Sequence, residues 1–129
     1  MIAAELARIA LHARESAYAP YSGFQVGAAL LAKNGAVFTG SNVENASYSL
    51  TICAERAAVF KAISEGVRAF EAIAVCTPGG CSPCGACRQV LNEFNPALKC
   101  YLANENGIIT CETTLDKLLP DAFGPENLD

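Results

Sequence analysis

The chain has 129 residues and a formal net charge of −4, and its nine Lys and Arg residues are scattered rather than clustered. This charge distribution excludes a protein that binds DNA or RNA through a basic surface. A chain of this length predicts a single domain, residues 1–129, with an ordinary hydrophobic core. Hydrophobic residues make up 52% of the chain, so we expect part of the apolar surface to be buried between subunits.

The amino terminus and the cysteine content both bear on location. Glu5 and Arg8 interrupt the first apolar residues, so we expect no signal peptide, and no stretch approaches the length of a membrane span. Seven cysteines without an export signal favour a reducing cytoplasm, with thiols that are free or bound to metal. We therefore expect a cytoplasmic protein without a membrane partner.

Hydrophobic periodicity and turn residues divide the chain into helices and strands. The predicted segments are, in order, a helix over 2–17, strands over 24–31 and 36–39, a helix over 53–65, a strand over 71–77, a helix over 83–94, strands over 100–103 and 108–112, and a helix over 114–119. Asn34-Gly35 and Asn106-Gly107 are typical two-residue hairpin turns. This order predicts an α/β fold, a three-layer sandwich with a central mixed sheet of about five strands flanked by helices.

Three cysteines lie where two of the predicted helices begin. Cys84 and Cys87 have the spacing that places two thiols on one helix face, and Ser82 and Pro83 suit the N-cap and the first helical position before them. Cys53 opens the other helix. A helix N-terminus favours thiolates, which are the form that binds metal. Three thiolates with one open position are the pattern of a catalytic Zn²⁺ site.

Glu55 is the candidate acid and base, because it follows Cys53 by two residues and a carboxylate there can transfer protons for a metal-bound water. A ligand, one residue, a Glu and a later Pro-Cys-x-x-Cys form the signature of zinc nucleobase deaminases. A Cys-x-x-Cys pair alone also fits a redox pair or a structural zinc site. His12 is the only histidine, and we expect it on the surface of its helix rather than at a metal.

A polar loop over residues 40–48 precedes the Cys53 helix and contains Asn42, Glu44 and Asn45. Such a loop is well placed to hydrogen-bond a polar ligand such as a sugar. The alternative is a solvated loop with Asx turns.

Longer matches place these residues in one family. The matching segments are residues 18–24, 26–31, 42–48, 53–56, 82–89 and 118–123. Across nearly the whole chain, the sequence resembles the short, homotetrameric, three-cysteine cytidine deaminases. The resemblance implies their fold and the zinc-dependent hydrolytic deamination of cytidine and deoxycytidine to uridine and deoxyuridine, with release of ammonia, in pyrimidine salvage.

The resemblance also implies a role for each matching residue. One Zn²⁺ per subunit would be held by Cys53, Cys84 and Cys87, and Glu55 would move protons between water and the cytosine ring. The implied nucleoside contacts are Phe24 on the pyrimidine, Asn42 and Glu44 on the ribose hydroxyls, and the Ala54 N–H on the 2-oxo group. Neighbouring subunits of a homotetramer with shared active sites would contribute Ala46, Tyr48 and Phe123.

Several residues have alternative interpretations. Arg56 and Arg88, each next to a ligand cysteine, are expected to donate hydrogen bonds to thiolate sulfur, although surface ion pairs are the alternative. Phe123 has the alternative of anchoring the chain's tail to its own subunit. We expect Cys81 to lie outside the ligand set. Buried apolar thiols are expected in the strands at Cys76, Cys100 and Cys111.

Two alternative functions stay open from the sequence. One is a deaminase of another aminopyrimidine nucleoside, of the blasticidin type, and the other is a non-catalytic structural zinc module. The loop over residues 42–45 resembles the ribose-binding version, which favours cytidine. A structural site usually recruits a fourth Cys or His and has no use for Glu55 beside a ligand.

Overall fold

The computed structural model describes residues 1–128, in which helices cover both faces of one sheet. The helices are α1 (Ala3–Ala13), α2 (Ala54–Ser64), α3 (Gly85–Phe94) and α4 (Leu115–Leu118). The strands are β1 (Gly27–Ala32), β2 (Val37–Ser41), β3 (Phe70–Cys76), β4 (Lys99–Ala103) and β5 (Ile109–Thr114).

The sheet has five strands in the order β2-β1-β3-β4-β5. Only the β3–β4 pair is parallel among these, and α3 makes the crossover between its two strands. The β1–β2 hairpin turns at Asn34 and Gly35, with Leu31 opposite Val37, and Gly35 has the positive φ of 91° that glycine adopts most readily. The predicted mixed sheet of about five strands is confirmed.

Alternate residues of β1 face two separate layers of the core. Ala28 and Leu30 pack with α2 and α3, while Ala29 and Leu31 pack against the buried face of α1. The first strand is buried along its whole length because helices cover the sheet on both sides. This arrangement is the predicted three-layer sandwich, and it is confirmed.

Most predicted boundaries differ from the structure by one to four residues. The first helix ends at Ala13 and continues as a short 3₁₀ turn to Ser16. The first strand begins at Gly27 rather than at Phe24, because the Asn42 side chain takes the Phe24 carbonyl and the Val26 N–H in hydrogen bonds. The helix of the cysteine pair begins at Gly85, so the predicted start at Pro83 is wrong.

Gly40 of β2 lets the helix that carries Cys53 lie close to the sheet. A Cβ atom at Gly40 would lie 2.3 Å from the Ala54 carbonyl oxygen and 2.6 Å from the Ala58 nitrogen. Only a residue without a side chain fits this contact. The first turn of α2 is therefore held directly against the sheet.

Within residues 1–128, the longest helices have 11 residues, and none is both long and apolar enough to cross a membrane.

Candidate active site

Three thiols meet where α2 and α3 begin. The Sγ atoms of Cys53, Cys84 and Cys87 all lie within 4.8 Å of one another, and those of Cys53 and Cys84 are 3.8 Å apart. Cys53 is the N-cap of α2 and Cys84 is the N-cap of α3, where its sulfur accepts a hydrogen bond from the Cys87 N–H at 3.5 Å. This capping bond explains why α3 begins after Cys84, since the sulfur replaces the oxygen of an ordinary N-cap residue.

The surroundings of the cluster favour negative charge on sulfur. Hydrogen bonds from Cys87 and from Arg56 lower the pKa of Cys53 to about 5, although partial burial opposes this shift. Arg56 Nη2 lies 3.3 Å from Cys53 Sγ. The pKa of Cys87 is raised, because its thiol donates to Cys53 and is buried. These neighbours therefore stabilise the thiolate form of Cys53 more than that of Cys87.

Glu55 lies beside these thiols in the first turn of α2, and its side chain is buried, with an exposed fraction of 4%. Burial raises the pKa of Glu55 to about 7, and the charge of Cys53 acts in the same direction. A carboxyl group with a pKa near neutrality can both accept and donate a proton at neutral pH. Glu55 thus has the environment of a general acid and base.

Arg88 makes different contacts from those predicted. Its Nε atom donates to the Pro83 carbonyl at 2.8 Å, and its Nη1 atom donates to the Leu118 carbonyl at 2.6 Å. Within the described part of the chain, the thiolate contact predicted for Arg88 is therefore replaced by two backbone contacts. Arg88 ties the loop before Cys84 to the C-terminal end of α4.

A cavity of about 340 Å³ opens next to Cys53. Its lining residues are Ser22, Phe24, Asn42, Glu44, Tyr48, Thr51, Ile52 and Cys53. Most residues predicted to bind a nucleoside are thus brought together at the cysteine cluster. Ala54 begins α2 at the same place, where the first N–H of a helix has no intrahelical acceptor.

Asn42 and Glu44 are both buried, and both hydrogen-bond the loop that carries Phe24. Asn42 Nδ2 donates to the Phe24 carbonyl at 2.7 Å, and Asn42 Oδ1 accepts from the Val26 N–H at 2.9 Å. Glu44 accepts hydrogen bonds from Ser22, and these hold the pKa of its carboxyl below the ordinary value. Glu44 therefore presents a carboxylate to the cavity.

The remaining predicted contacts lie on the surface. Ala46 is exposed, Tyr48 is 60% exposed, and Phe123 is 58% exposed although its backbone is fixed. The Phe123 carbonyl accepts hydrogen bonds from Gln89 Nε2 at 2.8 Å and from Asn92 Nδ2 at 3.3 Å. Of these three residues, Tyr48 lines the cavity of its own chain.

The family model of the cytidine and deoxycytidylate deaminase zinc-binding region matches residues 2–103. This stretch includes all three clustered cysteines and Glu55. The chain belongs to this family. The resemblance seen in the sequence is thereby confirmed.

Individual relatives with the cytidine deaminase name match most of the chain. The cytidine deaminase of Sporosarcina psychrophila is 59% identical over 119 residues, which cover 90% of this chain and 87% of that protein. The crystal structure of cytidine deaminase from Burkholderia pseudomallei has a TM-score of 0.91 at 52% identity and covers 95% of this chain and 100% of that chain. Cytidine deaminase from Mycobacterium tuberculosis has a TM-score of 0.81 at 44% identity, covering 93% and 95% of the two chains.

The cysteine cluster fits the zinc of the cytidine deaminase family. Tetrahedral Zn²⁺ with Zn–S distances of about 2.3 Å places two sulfur ligands roughly 3.8 Å apart, and the Cys53 and Cys84 sulfurs have this separation, 3.8 Å. Thiolates also prefer Zn²⁺ to Mg²⁺ or Ca²⁺. The predicted cofactor, one Zn²⁺ per subunit, is therefore supported by both the family and the cluster.

The other cysteines lie outside the cluster, as predicted for Cys81. Its thiol is exposed and contacts the Pro78 carbonyl at 3.5 Å. Cys76 and Cys100 are buried as expected, but Cys111 is exposed, because it lies in the middle of the edge strand β5, where residues 110–112 are all exposed. His12 is exposed and lies 3.3 Å from Glu15.

Sequence reasoning missed the side chains that hold the predicted residues in place. Ser22 lies between the predicted helix over 2–17 and the predicted strand over 24–31, and its bonds reach Glu44 in another loop. Gln89 and Asn92 were interpreted only as helix residues, and both donate to Phe123 more than 30 residues away. Asn92 carried the one available signal, an amide on the buried face of an amphipathic helix.

Proposed function

We propose that the chain catalyses the zinc-dependent hydrolysis of cytidine and deoxycytidine to uridine and deoxyuridine, releasing ammonia. The observation that carries this proposal is the buried Glu55 beside the three-cysteine cluster, next to a cavity that holds a carboxylate and an amide. Its relatives in Sporosarcina psychrophila and Burkholderia pseudomallei carry the name cytidine deaminase. A structural zinc module would not need a buried acid at the metal.

When bound by Cys53, Cys84 and Cys87, Zn²⁺ supplies a water molecule made more acidic and hence a better nucleophile. Glu55 would accept one proton from the attacking water and deliver it to N3 of the cytosine ring as the water oxygen adds to C4. The second water proton passes through the same carboxylate to the departing amine. The C4–N bond then breaks, and ammonia leaves a C4 carbonyl behind.

Two features of Glu55 suit this double transfer. Its pKa of about 7 makes both protonation states accessible at neutral pH. Its burial keeps bulk water from exchanging the proton between the two transfers. Glu55 is therefore proposed as the catalytic residue for both steps.

Arg56 offsets the charge of the ligand set. A divalent metal with three thiolates carries net negative formal charge, which makes its water less acidic than water on a site with neutral ligands. The Arg56 hydrogen bond to Cys53 withdraws part of that charge. Arg56 is therefore proposed to support zinc binding and the acidity of the water.

The residues that line the cavity would contact different parts of a nucleoside. Glu44 and Asn42 would bind the sugar hydroxyls. Apart from hydroxyl groups and one thiol, the polar side chains that line the cavity are this carboxylate and this amide. Phe24, which is 41% exposed, would pack against the pyrimidine. The Ala54 N–H at the start of α2 would donate to the 2-oxo group.

We further propose a homotetramer in which neighbouring subunits complete each site. Several large apolar side chains are exposed, among them Tyr18, Tyr48, Leu50 and Phe123, with exposed fractions of 56%, 60%, 70% and 58%, and Tyr48 lines the cavity. Contact between subunits would cover these side chains. In this arrangement Ala46, Tyr48 and Phe123 contact the nucleoside of another subunit.

Residues 1–129 would form a single catalytic domain that acts in the cytoplasm on free nucleosides, in pyrimidine salvage. Net negative charge and scattered cations disfavour a polynucleotide substrate.

The test is to incubate the zinc-loaded protein with cytidine, deoxycytidine and an aminopyrimidine nucleoside of the blasticidin type. Ultraviolet absorbance follows loss of the cytosine band, and an ammonia assay counts product. We expect turnover of both cytidine and deoxycytidine and loss of activity after chelation. Turnover of the blasticidin-type compound alone would favour the alternative deaminase. No turnover with one zinc bound per chain would contradict the proposal.

A further inference from the structure

Ser22 links two residues that the proposed function assigns to opposite halves of the nucleoside. Its backbone N–H donates to Glu44 Oε1 at 3.1 Å, and its hydroxyl donates to Glu44 Oε2. Its Oγ atom also accepts a hydrogen bond from the Phe24 N–H at 2.9 Å. The Ser22 side chain thus contacts both Glu44, which is proposed to bind the sugar, and the backbone of Phe24, which is proposed to pack on the base.

From these contacts we propose that Ser22 is a positioning residue that sets the separation between the Glu44 carboxylate and the Phe24 ring, and thereby the affinity for a nucleoside. This inference rests on the proposed function. Ser22 also lines the cavity, so it acts at the place where the substrate would bind.

The hydrogen bonds to Glu44 restrict that carboxylate strongly. Glu44 Oε1 accepts two N–H groups, from Tyr21 at 2.9 Å and from Ser22, while the Ser22 hydroxyl occupies part of Oε2. A carboxylate has about four acceptor positions, so the three bonds fix both oxygens and leave acceptor capacity on Oε2. The Ser22 hydroxyl is the largest contributor to the lowered pKa of Glu44, which keeps this group ionised.

Ser22 contributes to the position of Phe24 because few other bonds hold the intervening loop, among them the bond from the Gly23 N–H to the Ala19 carbonyl at 2.9 Å. Gly23 lies between them with a positive φ of 68°, and strand β1 begins only at Gly27. Asn42 holds the Phe24 carbonyl from one side, and Ser22 holds the Phe24 N–H from the other. Removal of the Ser22 hydroxyl leaves the Phe24 backbone with one side-chain hydrogen bond, the one from Asn42.

A role in packing does not account for Ser22, since its side chain is exposed and belongs to neither hydrophobic cluster. Replacing it with Ala changes one hydroxyl group and leaves the sheet and the cysteine cluster intact. The effect of Ser22→Ala is therefore expected in substrate binding rather than in zinc content or in folding.

The test compares steady-state kinetics of cytidine deamination by the zinc-loaded wild type, Ser22→Ala, Ser22→Thr and Ser64→Ala. Ser22→Ala is expected to raise KM about tenfold, the size expected when one hydrogen bond to a charged group is lost, with kcat nearly unchanged. Ser22→Thr keeps a hydroxyl and should restore KM. Among residues 1–128, the Ser64 hydroxyl donates only to the Lys61 carbonyl at the end of α2, so Ser64→Ala is a matched control with normal kinetics. An unchanged KM in Ser22→Ala, or a fall in kcat alone, would overturn the inference.

Amide hydrogen exchange of Phe24 tests the link without any activity. The Phe24 N–H should exchange faster in Ser22→Ala than in the wild type and should regain protection in Ser22→Thr. Inactive wild-type protein would contradict the proposed function, whereas equal Phe24 exchange in wild type and Ser22→Ala would contradict the role of Ser22.

Discussion

Arg56 Nη2 donates a hydrogen bond to Cys53 Sγ at 3.3 Å, so the helix that begins at the cysteine also supplies the cation that stabilises its thiolate. The contact joins residues three apart on one helix face. Within residues 1–128, Arg56 Nε is also the buried side-chain nitrogen or oxygen atom that lacks a partner. Among the described residues, the Arg56 guanidinium therefore contacts the cysteine cluster and forms no surface ion pair.

Replacing Arg56 with Gln should weaken zinc binding, because the charge on the thiolates is no longer offset. Loss of such a supporting contact typically costs about 10–100-fold in metal affinity or activity. The measurement is the rate of zinc transfer to a coloured chelator, with Arg68→Gln, at an exposed arginine, as the control. Equal transfer rates for the wild type and Arg56→Gln would contradict this role.

Two cysteine variants distinguish ligands from bystanders. Cys84→Ala should lose zinc and stability, because it removes both a ligand and the N-cap of α3. Cys81→Ala should keep one zinc per chain, since this thiol lies outside the cluster. Metal analysis of the purified proteins decides the matter. Full zinc content in Cys84→Ala would require another ligand set.

Gly40→Ala should destabilise the fold and disturb the site together. The new Cβ atom would lie 2.3 Å from the Ala54 carbonyl, and such overpacking costs about 1–3 kcal/mol. Thermal unfolding measures the loss of free energy. Gly85→Ala is the matched control, because a Cβ there has no neighbouring heavy atom within 4 Å among the described residues. An equal unfolding temperature for Gly40→Ala and the wild type would show that α2 can move away without cost.

Subunit mixing tests whether Phe123 serves a neighbouring site. Phe123→Ala and Glu55→Gln are each expected to be nearly inactive. If Phe123 acts in another subunit, mixed assemblies contain sites with an intact Glu55 from one chain and an intact Phe123 from the other, so activity returns. The Phe123 side chain is 58% exposed while Gln89 and Asn92 hold its carbonyl, which suits contact outside its own chain. Activity that stays at the level of the separate variants, in assemblies shown to be mixed, would place Phe123 in its own subunit.

Local signals predicted the framework of the site from the sequence. The apolar run over 24–31 and the Asn34-Gly35 turn predicted the first hairpin of the sheet, and the spacing of Cys84 and Cys87 indicated one helix face. The predicted start of α3 at Pro83 was wrong, because Cys84 takes the N-cap position in place of Ser82. A cysteine sulfur is not an ordinary capping group.

Contacts between distant segments could not be predicted in the same way. Arg88 lies next to Cys87 of the cluster, yet its donors reach the Pro83 and Leu118 carbonyls, because helix geometry alone does not say which acceptors surround a long side chain. The link from Ser22 to Glu44 likewise depends on how two loops meet. These are tertiary relationships, and no periodicity in the sequence encodes them.

The most direct test of the account is the turnover of cytidine by zinc-replete Glu55→Gln. This variant should keep one zinc per chain and a normal unfolding temperature, and it should lose about 10²–10⁴-fold in kcat, the usual contribution of general acid–base catalysis. Glu65→Gln, at an exposed carboxylate beyond the end of the same helix, is the control and should remain fully active. Near-normal turnover by Glu55→Gln with zinc bound would contradict the proposed proton transfer.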